Sequence, residues 1–287
     1  MANALLLFGI GLAGPSSTAA WTPADLGASL ALWLDAEDAS TITLNGSTVV
    51  QWGDKSGNGR HVTQLAAANQ PSYETTGLNG KPTIKVPTEA QFLSLADANP
   101  TFGATDLSTA VPGDLFTVFS VGEGGDGTGA VQASAGRAGV LVGKGGGLAN
   151  AGTFGLALAT HDSNDTPLAP PRWVAQLSGY ASQGVQNIPN WTPGALSTPA
   201  IVGVVWDGTV ATATLNGAPF ANSGAPYNSP NQNSAFRVGG MGQGATGISS
   251  TGGGNTKTSE TIICDAPLST ADRQKLEGYL AWKWGGI

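Results

Sequence analysis

Short apolar runs separated by turn residues fill most of this chain. Runs of this kind, bounded by Gly, Pro, Asn and Asp, are typical of β-strands, in which alternate side chains point to opposite faces of a sheet. On this pattern the sequence predicts strands over residues 30–34, 49–52, 83–86, 92–95, 115–121, 140–142, 154–159, 201–206, 210–215, 236–239 and 261–264. The first run is apolar on both faces, which predicts a central strand. The dipeptides Asp207-Gly208 and Asn216-Gly217 favour the positive φ angles of tight hairpin turns and predict a meander there.

A single amphipathic helix is predicted after the last of these strands. Ser269 is followed three residues later by Asp272, a spacing in which each side chain can bind an unpaired backbone N–H of the first turn. At about 100° per residue, one face of the segment is continuously apolar. That face carries Leu276, Tyr279, Leu280 and Trp284. The helix must therefore lie against another surface, and the surface expected is a β-sheet.

The composition supports an all-β fold with long loops. Of the 287 residues only 11% are charged and 43 are glycine, which suits a sheet-rich protein better than a helical bundle. The hydrophobic residues, at 40% and with eight Trp, are enough to form a substantial core. Three long segments, 122–139, 161–199 and 239–258, have no regular pattern and are predicted to be loops, which at such length are usually functional.

Charge and cysteine content argue against several classes of function. The formal net charge is −7 and the twelve Lys and Arg form no basic run, so the electrostatic surface expected of a protein that binds nucleic acid or an anionic membrane is missing. The single cysteine, Cys264, excludes an intrachain disulfide and a Cys-cluster metal site. Because Cys264 lies in an apolar run, it is predicted to be a core residue and not a reactive thiol.

The chain begins with an apolar stretch at residues 4–14. The stretch resembles the core of a signal peptide, but no Lys or Arg precedes it and glycines interrupt it. It is too short to span a bilayer. Two interpretations are open: residues 1–20 form an arm docked on a neighbouring subunit or another protein, or a strand packed on the remaining domain, residues 21–287. The anchoring side chains of such an arm would be Leu5, Leu6, Leu7, Phe8, Ile10 and Leu12.

Few residues are placed for catalysis or for binding a cofactor. Glycan hydrolysis needs two carboxylates across the scissile bond, and Asp35 and Glu37 would share a face of an extended strand, with Asp38 beside them. No third acid follows at this spacing, so a solvated strand end is favoured over a catalytic pair. The two histidines, His61 and His161, have no second His or Cys at ligand spacing, and the sequence predicts no zinc and no other cofactor.

A polar turn after the second strand has part of a calcium-loop pattern. Asp54, Ser56, Asn58 and Gly59 match the first half of an EF-hand loop. The twelfth position is Leu65 and not the glutamate that would complete the coordination, so a calcium EF-hand is disfavoured. The turn is predicted to be structural, with Asp54 and Asn58 binding backbone amides.

Aromatic residues in the predicted loops are candidates for contact with a ligand or partner. They are Trp173, Tyr180, Trp191 and Tyr227. Amphipathic aromatic rings stack on sugars at binding sites, and they also serve as anchors between protein subunits. We expect at least half of them to pack in the core. For Trp282, on the flank of the helix stripe, the same three roles are open: sugar stacking, contact with a subunit and core packing.

Four separated blocks of the sequence resemble a known family. The blocks are residues 32–38 (Leu-Trp-Leu-Asp-Ala-Glu-Asp), 51–59 (Gln-Trp-Gly-Asp-Lys-Ser-Gly-Asn-Gly), the hairpin 206–220 and the terminal segment 268–285. Together they resemble the concanavalin A-like (laminin G-like) jelly-roll domains that are common in bacteriophage virion proteins. The resemblance implies a two-sheet antiparallel jelly-roll sandwich, here with one C-terminal α-helix and an N-terminal arm. Laminin G-like domains sometimes carry a calcium ion, so calcium held by other loops stays open.

The fold implied by the resemblance hosts lectins, glycan hydrolases and purely structural modules. We expect a structural protein located in a phage virion, as a capsid decoration, head-fibre or tail-associated protein. Other virion proteins would bind its N-terminal arm, and a cyclic homo-oligomer such as a trimer would suit virion symmetry. The alternative is a lectin-like module that binds host-surface glycans, and a secreted glycoside hydrolase is disfavoured because the carboxylate pair is incomplete.

Overall fold

A computed structural model describes residues 20–88, 90–95, 116–124, 137–145, 155–161, 172–178, 198–207, 210–223, 235–240 and 255–285. Within these residues the chain forms antiparallel strands, one α-helix and three short 3-10 helices (Pro23–Ser29, Ala39–Thr41 and Ala67–Asn69). The strands are β1 (Leu30–Asp35), β2 (Ile42–Asn45), β3 (Thr48–Trp52), β4 (Val62–Thr63), β5 (Ser72–Leu78), β6 (Lys81–Val86), β7 (Leu93–Leu95), β8 (Phe116–Glu123), β9 (Arg137–Gly145), β10 (Gly155–His161), β11 (Arg172–Ser178), β12 (Ala200–Trp206), β13 (Ala211–Leu215), β14 (Ala218–Ser223), β15 (Phe236–Val238) and β16 (Thr256–Cys264). The helix α1 spans Thr270–Trp284.

Strand β16 lies at the centre of one layer. It pairs with β8 along one edge, and along its other edge first with β6 and then with β1. The layer continues from β8 through β12 and β13 to β14. The second layer runs through β11, β10, β9, β15, β7, β4 and β3, with β2 also paired to β3, and β5 connects β3 to β6. The sheet thus curls over itself, and the predicted all-β sandwich is confirmed.

The first hydrophobic core lies between the two layers. Val118 of β8 and Ile263 of β16 belong to the same buried cluster as Leu141 of β9 and Phe236 of β15. None of these side chains is more than 1% exposed. The alternation of buried apolar positions along the strands therefore closes the sandwich, as expected for two antiparallel sheets packed face to face.

The second core lies between the outer face of the β16 layer and α1. Leu276, Leu280 and Trp284 of the helix are buried against Phe119 of β8 and Ile262 of β16. The predicted apolar stripe, with Tyr279 partly buried at its margin, is confirmed. The helix is a third layer on one side of the sandwich.

Both ends of α1 are capped by side chains. The Asp272 backbone N–H donates to Ser269 Oγ at 3.1 Å, as predicted, and Ser269 Oγ in turn donates to the Asp272 carboxylate at 2.8 Å. At the other end Gly285 takes a φ of 97°, and the side chain of Asn79, from the β5–β6 turn, donates to the Trp284 carbonyl at 2.7 Å. The helix ends where a left-handed residue and an external donor satisfy its last carbonyls.

The boundaries of most predicted strands agree with the structure, but several strands are not predicted from the sequence. These are β2, β4, β5 and β11. Strand β11 lies within residues 161–199, which the sequence pattern assigns to a loop. The predicted hairpin at Asn216-Gly217 is confirmed, with φ angles of 50° and 77° at its two central residues.

Strand β1 is buried on both faces, and among the described strands it pairs with β16 alone. The polar turn 53–60 covers its other edge. Asp54 Oδ1 accepts the Trp33 backbone N–H at 3.0 Å, and Asn58 Nδ2 and the Arg60 guanidinium donate to the Ala31 carbonyl at 3.1 and 2.7 Å. The turn is structural, as predicted, although Asn58 binds backbone carbonyls and not amides. These side chains bind backbone N–H and C=O groups of β1 that would otherwise be open to pairing with another strand.

Cys264 is fully buried in the second core. Burial, with a smaller effect from the charge of Asp265, raises the pKa of its thiol to about 12. The predicted role of Cys264 as a core residue is confirmed, since a protonated and inaccessible thiol is a poor nucleophile.

The N-terminal segment lies outside the described residues up to position 19, so the predicted arm and its six anchoring side chains stay a prediction. Among the described helices, none is long and apolar enough to cross a membrane.

Candidate functional site

A buried charged cluster lies between α1 and the β16 layer. At its centre is Glu260, which is 0% exposed. Its Oε1 accepts the indole N–H of Trp33 at 2.7 Å and the Tyr279 hydroxyl at 3.3 Å. Its Oε2 accepts the indole N–H of Trp284 at 2.7 Å and is 2.9 Å from Lys283 Nζ. Glu260 therefore holds strand β1 and helix α1 to β16.

A β-bulge directs Glu260 to this side of the sheet. The register of β16 against β8 shifts between Thr258 and Glu260, so Ser259 is an additional residue in the ladder. Thr258 faces the first core, where its hydroxyl donates to the Leu141 carbonyl at 3.4 Å. Without the bulge, strict alternation would point Glu260 the same way. With the bulge, Glu260 points to the helix-facing side of the sheet, as Ile262 does. Redirecting a side chain in this way is a common effect of β-bulges.

The cluster extends from Glu260 to the end of β1 through two lysines. Lys283 Nζ lies 2.7 Å from Asp35 Oδ1 and also donates to the Tyr279 hydroxyl at 3.2 Å. Lys55 Nζ lies 2.8 Å from Asp35 Oδ2 and 2.9 Å from the Asp38 carboxylate, with the Trp33 ring 4.3 Å below it. Lys283 thus uses its three N–H donors on three oxygen partners, and Asp35 lies between two ammonium groups.

Burial and neighbouring charges set the protonation of this cluster. Burial raises the pKa of Glu260, and the nearby Asp35 charge acts in the same direction while Lys283 opposes both. Burial and the Glu260 charge raise the pKa of Tyr279 well above its ordinary value, which keeps the hydroxyl available as a donor. Burial opposes the charge on Lys55, but the hydrogen bonds to Asp35 and Asp38 outweigh it and raise the pKa of Lys55.

The acidic residues after β1 differ from the sequence-based expectation. Asp35 is 4% exposed, so it is not part of a solvated strand end. It is buried because Lys55 and Lys283 neutralise it, which the local sequence does not show. Glu37 is half-exposed and lies 2.7 Å from Lys81 Nζ. Each of these carboxylates is engaged by an ammonium group.

The outer face of α1 carries an exposed tryptophan. Trp282 is 79% exposed, whereas the adjacent Trp284 is fully buried. Gly278, one turn before Trp282, has no neighbouring atom where a side chain would lie. Both residues lie on the solvent-facing side of α1, so open space remains at the turn that precedes the indole. Trp282 is thus a flat aromatic surface on a helix that the buried cluster fixes in place.

Of the loop aromatics proposed from the sequence, only Trp173 lies within the described residues. It belongs to strand β11, is 3% exposed and packs in the first core. The ring lies between the layers, where it agrees with the core packing expected for at least half of these aromatics. Tyr180, Trp191 and Tyr227 lie outside the described residues and stay predictions.

The polar turn 53–60 has no carboxylate oxygen free for a metal ion. Asp54 accepts the backbone N–H groups of Trp33, Ser56 and Arg60 and the Ser56 hydroxyl. Across the part of the chain that the structure describes, no group of three or more His, Cys, Asp or Glu side chains is arranged to hold a metal ion.

No protein-family model and no curated protein sequence matches the chain. Among solved structures, it is similar to Trypanosoma rangeli sialidase in complex with sialic acid, with a TM-score of 0.53 and 16% identity over 89% of this chain and 33% of that one. The binding domain of Paraclostridial Mosquitocidal Protein 1 gives 0.53 and 10% over 91% and 53%. Domain 4 of AbnA, a GH43 extracellular arabinanase from Geobacillus stearothermophilus, in complex with arabinotriose, gives 0.53 and 10% over 86% and 98%.

These likenesses show a shared β-sandwich fold. The chain spans about a third of the length of the sialidase chain and nearly the whole of the arabinanase domain. The resemblance predicted from the sequence therefore holds at the level of the sandwich, and the expected likeness to phage virion proteins has no counterpart among these three structures.

Proposed function

We propose that this protein is a lectin-like β-sandwich that binds glycans without cleaving them. The observation that carries the proposal is Trp282, a tryptophan 79% exposed on a rigidly held helix. Two of the structures of similar fold are in complex with saccharides, sialic acid in one and arabinotriose in the other. The arabinanase domain supports the proposal most directly, because the match covers 98% of it.

Stacking on Trp282 would use the apolar C–H face of a sugar ring. An indole presents a large flat surface and loses little conformational entropy when a ligand packs on it. The helix that carries Trp282 is also held in place, because Glu260 accepts the indole N–H of Trp284, two residues later, at 2.7 Å. The indole of Trp282 therefore presents a fixed surface to a ligand. The space above Gly278 leaves room for the edge of a sugar ring beside the indole.

Binding without hydrolysis is favoured because of the state of the nearby carboxylates. Asp35 lies between Lys55 and Lys283, and Glu37 is paired with Lys81. Hydrolysis needs two carboxyl groups that a scissile bond can reach, and Asp35, which is 4% exposed, is not open to a saccharide.

The Trp282→Ala variant tests the proposal. On a glycan array, the wild-type protein is expected to bind at least one class of saccharide, and the variant to bind it about tenfold more weakly, as a loss of about 1.4 kcal/mol would give. Trp282→Phe should recover part of the affinity. Leu65→Ala is the matched control, because Leu65 is 83% exposed and lies on a loop of the sandwich.

Three outcomes of this test are distinct. Absence of binding to any saccharide above background would contradict the proposed function. Binding unchanged in Trp282→Ala but lost in Trp191→Ala would keep the function and move the site to residues outside those described. Equal losses in Trp282→Ala and Leu65→Ala would contradict a specific role for Trp282.

The second candidate function is the structural role on a phage particle, located in the virion. The apolar residues 4–14 and the resemblance of the four sequence blocks to phage virion domains favour it. Deletion of residues 1–20 is then expected to abolish incorporation into particles, measured by proteomics of purified virions, while the folded domain is still produced. Normal incorporation of the truncated protein would contradict the anchoring role.

A further inference from the structure

The buried cluster places one amine, that of Lys283, in direct contact with two carboxylates. Lys283 Nζ lies 2.7 Å from Asp35 Oδ1 and 2.9 Å from Glu260 Oε2. The side chains of all three residues are at most 8% exposed. We propose that Lys283 and Asp35 react to form an intramolecular isopeptide bond, with Glu260 carrying the proton between them.

The surroundings of the three groups favour this condensation. The indole rings of Trp33 and Trp284 and the phenol of Tyr279 line the site beside Glu260, and the three reacting side chains are at most 8% exposed. In a dry site, charged ammonium and carboxylate groups are costly, and a neutral amide is not. Fixed contact between the reacting groups supplies the high effective concentration that makes intramolecular reactions fast. Burial also raises the pKa of Glu260, which makes it a better proton acceptor.

The reaction balances without an oxidant or co-reactant. The Lys283 ammonium first transfers a proton, through Glu260, to the Asp35 carboxylate, which gives an amine and a carboxylic acid. The Lys283 nitrogen then attacks Asp35 Cγ and the new C–N bond forms. Glu260 takes a second proton from the nitrogen and delivers it to the departing hydroxyl group. The C–O bond breaks and one water molecule leaves, so the products are an amide and water, and Glu260 is regenerated.

Lys55 has a supporting role in this geometry. Its ammonium group lies 2.8 Å from Asp35 Oδ2, the oxygen that stays on the carbon. A fixed positive charge there orients the carboxyl group and stabilises the negative charge that develops during attack. The hydrogen bonds that raise the pKa of Lys55, against the effect of burial, keep this charge in place.

The bond would join the first strand of the sandwich to the last helix. Asp35 ends β1 and Lys283 lies in the final turn of α1, so the cross-link would close a loop containing most of the chain. Long closed loops restrict the unfolded state strongly. The folded domain would then resist heat and proteolysis, which suits a protein that works outside a cell.

Intact mass spectrometry of the purified, folded chain tests the proposal. The expected mass is lower than that of the sequence by one water molecule, about 18 Da, and the difference persists after denaturation. Peptide mapping should give one branched species that contains both Asp35 and Lys283. A mass equal to that of the sequence after prolonged incubation, or a bond that maps to Lys55, would overturn the proposal.

Three variants show which groups react. Lys283→Arg should keep a positive charge and lose the mass difference completely. Glu260→Gln should slow the reaction about a hundredfold or more, since it removes the proton carrier. Lys275→Arg is the matched control on the same helix, because Lys275 is exposed and paired with Asp272. Loss of the mass difference in Lys275→Arg, or its persistence in Lys283→Arg, would contradict the assignment.

Discussion

The Glu260→Gln variant is expected to lower the free energy of unfolding by about 3–5 kcal/mol, the cost typical of removing one partner of a buried ion pair. Glu260 is fully buried and accepts four donors from Trp33, Tyr279, Lys283 and Trp284. Glutamine has nearly the same shape, but its amide nitrogen cannot accept a hydrogen bond and its oxygen carries no full charge. At least one indole N–H would be left poorly satisfied in the interior, and so would the Lys283 ammonium group of any chain that is not cross-linked.

Urea unfolding of wild type and variant measures this effect. Glu37→Gln is the matched control, because it removes a carboxylate from an ion pair whose side chains are 34% and 39% exposed. Exposed pairs contribute at most about 1 kcal/mol, so the control should unfold close to wild type. Similar losses in the two variants would show that burial of Glu260 has no special importance. Intact masses are recorded in parallel, since Glu260→Gln also slows the proposed cross-link.

The hydrophobic pattern was sufficient to predict the main elements of the fold. Strands such as β12 and the hairpin at Asn216-Gly217 follow from short apolar runs and turn dipeptides, which are local signals. The stripe of α1 was equally clear, because a helix against a sheet needs a continuous apolar face. The strands that were not predicted, such as β2, whose residues are largely exposed, are held by pairing with a neighbour and not by their own pattern.

Glu260 could not be identified as a site residue from the sequence. It follows four Thr, Lys and Ser residues, a stretch that indicates a solvated loop. The structure buries this stretch because β16 is the central strand and most of its polar side chains find partners: Thr258 at the Leu141 carbonyl of β9, Lys257 at Glu123 of β8, and Glu260 at Trp284 of α1. The bulge at Ser259 then determines which face of the sheet Glu260 occupies. No residue in the sequence indicates the presence of this bulge.

The exposure of Trp282 could not be predicted from the sequence, for a different reason. Helical periodicity placed it on the flank of the apolar stripe, beside Tyr279, where burial and exposure were both compatible with the pattern. Its exposure is decided by the angle at which α1 lies on the sheet. That angle is held by contacts with residues outside the helix, namely Glu260, Asn79 and the strand residues of the second core.

Gly203→Ala is expected to destabilise the domain by about 1–3 kcal/mol, the range typical of overpacking in a dense core. Gly203 lies in β12, directly across from Phe119 of β8. A Cβ at this position would overlap the Phe119 ring, which is fully buried beneath α1. Glycine inside a strand often marks such a close approach, where an aromatic ring covers the position that lacks a side chain. The ring cannot swing away, because Val121 and Leu280 occupy the same core.

Gly278→Ala provides a control with the opposite sign. Gly278 lies in the exposed face of α1 and has no atom near the position of a new Cβ. Alanine is favoured over glycine within a helix by about 0.8–1.0 kcal/mol, so this variant should raise the free energy of unfolding. Thermal and urea unfolding of the two variants separates steric overlap from a general effect of replacing glycine. A Gly203→Ala protein as stable as wild type would mean that Phe119 can repack, and that the second core is less tightly packed than the contact between β8 and β12 indicates.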